Sequence, residues 1–221
     1  LLRRVWTGWG EKFACAGADL KICAEGGKAR GNGKGQLFCE ALSPRGRFRG
    51  VSVAAVNGYA LGGGREGAMA CDIRIAEEHA QMAAPEAGVG LLPCAGGTQN
   101  LPWLVGEGWA KRMILCGERV KADTALRIGL VEEVVPSGQS LDKALELAEM
   151  ACQQSPSATA RCKTLVMSAR DGRSPHEGWR MERGRLCELL PPHTQKTGRN
   201  PFHGQPKPEW ENHYNPQARA E

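Results

Sequence analysis

Long apolar segments and signal-peptide features are both missing from this sequence of 221 residues. No run approaches the roughly 18 uninterrupted apolar residues that a membrane-spanning helix needs. The first segment, LLRRVWTGWGEKF, lacks the apolar stretch of a signal peptide and begins directly with a strand-like run. We therefore expect a protein that does not cross a membrane.

Paired cysteines and clustered histidines are also absent. The nine cysteines form no CxxC pair, and the five histidines show no spacing typical of metal ligands. The odd count, and the place of Cys71, Cys116 and Cys162 within apolar runs, favour reduced thiols that serve as small core residues. The sequence therefore predicts a reducing compartment, the cytoplasm, and no metal site.

The charge balance leaves two classes of ligand open. The net charge is +5, which suits nucleic acid but equally suits a small molecule that carries phosphate. The basic residues are spread along the chain, apart from short groups at Arg3–Arg4 and Arg45–Arg49. None of the recognisable nucleic-acid-binding motifs is present, so an RNA or DNA partner is not favoured.

Strand and helix patterns alternate along the chain, which predicts the α/β fold class. The run at 51–57 is apolar and β-branched, as in a buried strand. Residues 88–106 are rich in glycine and proline and are predicted to form a loop, ahead of a helix at 107–117. Apolar residues recur at helical spacing from 140 onwards, so the C-terminal part is predicted to be helical.

Three consecutive glycines, Gly62–Gly64, separate a strand-like run from a helical segment that carries Glu66. Such a turn exposes backbone N–H groups at a helix N-terminus, where the helix dipole favours an anion or a developing oxyanion. A second loop of small residues, at Gly17 and Ala18, follows another strand-like run. Two loops of this kind can each supply one N–H to a single oxygen, but the glycines also suit a tight structural turn.

Two glutamates, Glu66 and Glu86, lie in apolar surroundings beside these glycine-rich turns. Carboxylates that are desolvated in this way have raised pKa values and can exchange protons near neutral pH. A single glutamate in a loop is more often solvated or a helix cap. Two of them in similar surroundings favour acid–base chemistry.

Four segments in the same order resemble the enoyl-CoA hydratase/isomerase (crotonase) family: GEKFACAGADL, VAAVNGYALGGGREGAMACDIRIA, APEAGVGLLPCAGGTQNLPWLVG and AKRMILCGERVKADTALRIGLVEEVVP. The similarity runs from residue 5 to residue 170. The resemblance implies a crotonase (ClpP-like) spiral of ββα units, with a core over 1–137 and a helical C-terminal region and tail over 138–221. It also implies a homotrimer or homohexamer, and a further stretch of the family domain ahead of residue 1.

The resemblance implies a role for each part of the site. The backbone N–H groups of Ala18 and Gly63 would polarise the thioester carbonyl of an acyl-CoA. Family hydratases carry both glutamates, so Glu86 would be the main proton donor to C2 and Glu66 would orient water, although the opposite division stays open. Coenzyme A would enter as part of the substrate, without a metal or redox cofactor. Further substrate contacts are expected from Ala16, Asp19, Leu20, Gly62, Gly64, Pro85, Gly90, Phe202 and Lys207.

Three residues depart from the family pattern. Arg65 replaces a small or apolar residue, Gly67 a leucine, and Cys94 a glycine. Arg65 would either lower the pKa of Glu66 or point away from it. The resemblance also leaves room for a related acyl-CoA isomerase, lyase or hydrolase, and for a non-catalytic RNA-binding relative. Both glutamates favour the hydratase, with fatty acid metabolism as its expected setting.

Overall fold

A computed structural model describes residues 2–19, 21 and 48–190 of the chain. Its strands form two four-stranded sheets, in the orders β1-β3-β5-β8 and β2-β4-β6-β7. The strands are β1 (Arg3–Thr7), β2 (Phe13–Cys15), β3 (Val51–Val56), β4 (Tyr59–Leu61), β5 (Ile73–Glu77), β6 (Gln81–Ala83), β7 (Val120–Lys121) and β8 (Glu133–Val135). The helices are α1 (Gly63–Met69), α2 (Gly97–Leu115), α3 (Ala122–Arg127), α4 (Ser140–Cys152), α5 (Pro156–Ser168) and α6 (Pro175–Cys187), with 3₁₀ helices at Pro85–Val89 and Ala169–Asp171.

The chain alternates between the two sheets, which produces a repeated ββα unit. Strand β3 lies in the first sheet, β4 in the second, and α1 follows; β5, β6 and the first 3₁₀ helix repeat this order. All six residues of β3 are buried, as expected of a parallel strand covered on both faces. The predicted α/β class is confirmed, and the strand predicted at 51–57 is found at Val51–Val56.

Parallel pairing brings three loops to one edge of the second sheet. Strand β4 pairs in parallel with β2 on one side and with β6 on the other, with Leu61 opposite Ala83 and Cys15 opposite Ala60. Because parallel strands end at the same edge of a sheet, the segments that follow β2, β4 and β6 emerge side by side. The residues predicted for catalysis and for the oxyanion hole, Ala18, Gly63, Glu66 and Glu86, lie in these three segments.

The core around the site is built mainly from small side chains. Ala54, Ala60, Ala68 and Ala76 are almost completely buried, together with larger residues such as Leu101. Small side chains allow α1 to approach the strands closely, and six of its seven residues are buried. Each fully buried leucine or methionine contributes about 1.5–3 kcal/mol, so the few large residues supply much of the hydrophobic stabilisation.

Helix α2 begins earlier than the sequence predicted. The predicted loop at 88–106 is helical from Gly97 onwards, so that part of the prediction is wrong. Gly106, at φ 76° and ψ 160°, interrupts the helix where the predicted helix was to begin. Leu101 and Val105 lie four residues apart and both are buried, so packing overrides the poor helix propensity of glycine and proline here.

The cysteines do not all pack into the core. Cys116 and Cys162 are free thiols with exposed side chains, so their prediction as core residues is wrong. Cys71 is half-buried and packs against the core. Apolar neighbours in the sequence indicate a helix but do not fix which of its faces a cysteine occupies.

The chain divides into two compact units, the larger comprising Arg4–Pro44 and Val51–Glu149. It contains the three loops that follow β2, β4 and β6. In the smaller unit, α6 begins with a capping box in which Ser174 and Glu177 satisfy each other's backbone N–H groups.

Within the described residues, no helix is both long and apolar enough to cross a membrane. The predicted boundary between 137 and 138 stays a prediction.

Candidate active site

Two of the three loops touch each other directly. A Cβ on Gly17 would lie 2.8 Å from the carbonyl oxygen of Leu61 and 3.1 Å from the backbone nitrogen of Gly63. A Cβ on Gly64 would overlap the carbonyl oxygen of Cys15. Gly17 also has a positive φ of 93°, which favours glycine. The loops after β2 and β4 therefore approach as closely as backbones can, and glycine is required for that approach.

The turn between β4 and α1 sets the direction of the helix. Gly62 occupies the N-cap with φ 54° and ψ −123°, a conformation that non-glycine residues rarely adopt. Its N–H donates to the carbonyl of Ala83 at 3.1 Å, and its own carbonyl accepts from the N–H of Glu66 at 3.0 Å. Gly63 is the first helical residue, so its N–H has no acceptor within the helix. The oxyanion-binding roles of Gly63 and Ala18 stay predictions.

Glu66 is buried and held by the backbone of a third loop. Its side chain is 3 % exposed, and its Oε1 accepts hydrogen bonds from the N–H groups of Ala95 at 2.9 Å and Gly97 at 2.8 Å. Burial raises the pKa of Glu66, while the two backbone hydrogen bonds and the positive charge of Arg65 oppose the rise. The carboxyl group is thus fixed in position and is easier to protonate than a solvated glutamate.

Glu86 lies in the 3₁₀ helix Pro85–Val89, immediately beyond β6. Both of its carboxylate oxygens are buried and have no hydrogen-bond partner among the described residues. Its Oε1 lies 3.2 Å from the position that a Cβ would take on Gly62. The side chain therefore reaches the glycine turn and presents two acceptor oxygens there that are unused by the described part of the chain.

Arg65 is completely buried beside the two glutamates. Its Nη1 contacts the sulfur of Met69 at 3.5 Å, whereas Nε and Nη2 have no partner among the described residues. Burial lowers the pKa of Arg65, and the charges of Glu86 and Glu66 oppose that change. Of the two alternatives for this residue, the first holds: its charge lowers the pKa of Glu66, although burial of Glu66 has the larger effect.

The remaining residues predicted to contact the substrate do not all lie near the two glutamates. Ala16 and Asp19 are exposed in the loop after β2, where Asp19 accepts a hydrogen bond from the N–H of Lys21 at 2.9 Å. Pro85 is exposed at the start of the 3₁₀ helix. Gly90 ends that helix with φ 72°, and a Cβ there would lie more than 4 Å from every described side chain other than those of its chain neighbours, so Gly90 does not contact the carboxylates of the two glutamates. Three predicted contacts lie outside the described residues: Leu20, Phe202 and Lys207.

Sequence reasoning missed the residues that hold Glu66. The backbone of Ala95 and Gly97 supplies both hydrogen bonds, and the signal for it is the run Ala95–Gly97, AGG. A Cβ on Gly97 would lie 2.5 Å from Oε1 of Glu66, 2.6 Å from Cβ of Pro93 and 2.7 Å from Nη2 of Arg65. Glycine at this position therefore makes room for the carboxylate and the guanidinium together.

The enoyl-CoA hydratase/isomerase family model matches residues 4–213. That match covers nearly the whole chain, including the three loops and both glutamates. The chain belongs to this family. The enoyl-CoA hydratase/isomerase resemblance noted in the sequence is therefore confirmed.

Two relatives show how far the similarity extends. A short-chain-enoyl-CoA hydratase from Clostridium acetobutylicum is 42 % identical over 166 residues, which are 75 % of this chain and 64 % of that protein. A carnitinyl-CoA dehydratase from Salmonella arizonae is 38 % identical over 211 residues, which are 94 % of this chain and 80 % of that protein. This enoyl-CoA hydratase/isomerase family member thus spans less than two thirds of the clostridial enzyme.

Solved structures of the family have the same fold. DspI from Pseudomonas aeruginosa superposes with a TM-score of 0.89 at 56 % identity, covering 95 % of this chain and 79 % of that one. An enoyl-CoA hydratase from Bacillus anthracis superposes with a TM-score of 0.88 at 35 % identity, covering 94 % of this chain and 81 % of that one. The predicted crotonase fold is confirmed.

Proposed function

We propose that this protein is an enoyl-CoA hydratase that adds water across the C2–C3 double bond of an enoyl-CoA thioester. The observation that carries the proposal is the buried pair of carboxylates at one glycine turn. Glu66 is anchored through Oε1, and Glu86 presents two buried oxygens with no partner among the described residues. Such a pair can hold a water molecule and exchange protons with it.

The reaction balances with a single proton on the pair. Water held by Glu66 and Glu86 attacks C3 through its oxygen and gives one proton to the ionised carboxylate. The protonated carboxyl group, assigned to Glu86, gives its proton to C2. The product is a 3-hydroxyacyl-CoA, and the proton has moved from one glutamate to the other. General acid–base help of this kind contributes about 10²–10⁴-fold for each transfer.

Negative charge that develops on the thioester oxygen needs stabilisation at the same time. We assign this to the backbone N–H groups of Ala18 and Gly63, in the loops that touch at Gly17. Oxyanion donors act strongly because they are fixed before the reaction and shielded from water; loss of one typically costs about 10²–10³-fold. The N–H of Gly63 also lies at the positive end of α1.

The relatives support the reaction type. One is named as a hydratase and the other as a dehydratase of CoA thioesters, so both names describe addition or removal of water. The expected assembly, a homotrimer or homohexamer, is part of the proposal and can be tested by sedimentation velocity. The expected setting in fatty acid metabolism and the CoA contacts of the C-terminal tail likewise remain proposals.

The test is the loss of conjugated enoyl thioester absorbance after addition of crotonyl-CoA. We expect the wild type to consume the substrate, and Glu66→Gln and Glu86→Gln each to reduce kcat by about 10²-fold or more while acyl-CoA binding persists. A 3-enoyl-CoA supplied in place of crotonyl-CoA separates hydration from isomerisation. An inert wild type that binds acyl-CoA would reject the hydratase while retaining an acyl-CoA site.

A further inference from the structure

The buried arginine beside the carboxylates is unexplained by the proposed chemistry. Arg65 is completely buried, and two of its nitrogen atoms have no hydrogen-bond partner among the described residues. A Cβ placed on Gly97 would lie 2.7 Å from Nη2 of Arg65 and 2.5 Å from Oε1 of Glu66, so the two groups are close neighbours. Burying a charge in this way is costly unless an opposite charge compensates for it.

The arginine acts on the carboxylates through its charge and not through a hydrogen bond. Neither oxygen of Glu86 has a hydrogen-bond partner in the described part of the chain, and both hydrogen bonds to Glu66 come from backbone N–H groups. A direct arginine–carboxylate pair would occupy the oxygen atoms that must bind water. A charge close by, without contact, stabilises the ionised pair and leaves those atoms open.

Resting on the function proposed above, we propose that Arg65 is a positioning residue that sets the protonation state of the Glu66–Glu86 pair. With one proton shared by the two carboxylates, the three groups together carry no net charge. This is the state that hydration requires, with one acid and one base. Without the arginine, the pair would carry a net negative charge in a buried site and would take up protons more readily.

The titratable surroundings support this assignment. Burial raises the pKa of Glu66, and among the described residues Arg65 is a positive charge that opposes the rise. Glu86 and Glu66 are, in that order, the charges that act on Arg65. The strands packed against α1 contribute two other titratable side chains, the thiol of Cys15 and the phenol of Tyr59. Helix α2 carries its charged residues in the exposed second half, at Glu107, Lys111 and Arg112.

The experiment compares pH profiles of kcat/KM for crotonyl-CoA. Arg65→Met and Arg65→Gln remove the charge, Arg65→Lys keeps a charge, and Lys111→Met removes an exposed charge elsewhere. We expect both neutral variants to move the acid and alkaline limbs to higher pH by about one to two units, because a nearby arginine lowers carboxylate pKa values by this amount. At the acid limb this is a loss of about tenfold or more. The pH profile of Arg65→Lys should stay near that of the wild type, and the pH profile of Lys111→Met should not shift.

An infrared titration of the carboxylic acid carbonyl band measures the protonation of Glu66 and Glu86 directly, without turnover of substrate. Glu66→Gln and Glu86→Gln assign the band, and removal of the charge at position 65 should make it persist to higher pH. The proposal is overturned if the neutral variants lower the maximum rate but leave both limbs and the infrared midpoint in place. It is also overturned if Lys111→Met shifts them equally. If the wild type hydrates no substrate, the infrared midpoint alone decides.

Discussion

Gly97→Ala is a substitution that tests the position of Glu66 without removing any polar group. The new Cβ would lie 2.5 Å from Oε1 of Glu66, 2.6 Å from Cβ of Pro93 and 2.7 Å from Nη2 of Arg65. Carbon and oxygen atoms in ordinary contact are about 3.5 Å apart, so the carboxylate must retreat by about 1 Å. Oε1 of Glu66 and Nη2 of Arg65 are the ends of long side chains and can move, whereas Cβ of Pro93 is bonded to the backbone and moves only with it.

The expected effect is therefore on both catalysis and stability. A displacement of about 1 Å can cost about 100-fold in rate, which is about 2.7 kcal/mol of transition-state stabilisation. Overpacking with one methyl group costs about 1–3 kcal/mol of folding free energy, and the clash with the proline Cβ favours the upper end. The KM for acyl-CoA should change little, because the substrate's CoA portion does not depend on Glu66.

The assay measures kcat and KM with crotonyl-CoA, alongside urea unfolding. Gly108→Ala is the matched control, because it lies in the same helix, α2, and its Cβ would meet no atom of the described residues within 4 Å. The control should keep wild-type kinetics. If Gly97→Ala keeps wild-type kcat as well, the anchored position of Glu66 is not needed for the reaction and the mechanism is wrong.

Two further predictions concern stability. Gly64→Ala should lower the free energy of unfolding, measured in urea, by about 3 kcal/mol, because the new Cβ would overlap the backbone carbonyl of Cys15. An unchanged unfolding midpoint would show that the loops after β2 and β4 do not depend on this close contact. Burial raises the pKa of Glu66 above its ordinary value of 4.5, so the folded protein holds the proton of this carboxyl more tightly than the unfolded chain does. The protonated carboxyl therefore stabilises the fold fully below pH 4.5. This contribution is lost as the pH rises through the raised pKa. Unfolding measured from pH 4.5 upwards should show this decline in the wild type but not in Glu66→Gln; parallel curves would contradict it.

The fold and the glycine turn before Glu66 could be predicted because they leave local signals. The buried strand at Val51–Val56 is a run of valines and small residues, and the glycines before Glu66 mark the start of a helix. The start of α2 could not be predicted in the same way. Gly97 and Pro102 are poor helix formers, and only burial of residues such as Leu101 makes the segment helical.

The surroundings of Glu66 depend on contacts distant in sequence. Its partners Ala95 and Gly97 lie about thirty residues further along the chain, and nothing local to Glu66 indicates them. The sequence placed Arg65 next to Glu66 but left its direction open, since neighbouring helical residues point to different sides. Only the packed structure determines that the guanidinium is buried with the carboxylates.

The most direct measurement is the mass of the product formed from crotonyl-CoA in ¹⁸O-labelled water. For a hydratase we expect a 3-hydroxybutyryl-CoA that carries one labelled oxygen, formed by the wild type and strongly reduced in Glu86→Gln. Unlabelled crotonyl-CoA recovered from an enzyme that still binds it, or an unlabelled isomer, would contradict hydration by the two glutamates.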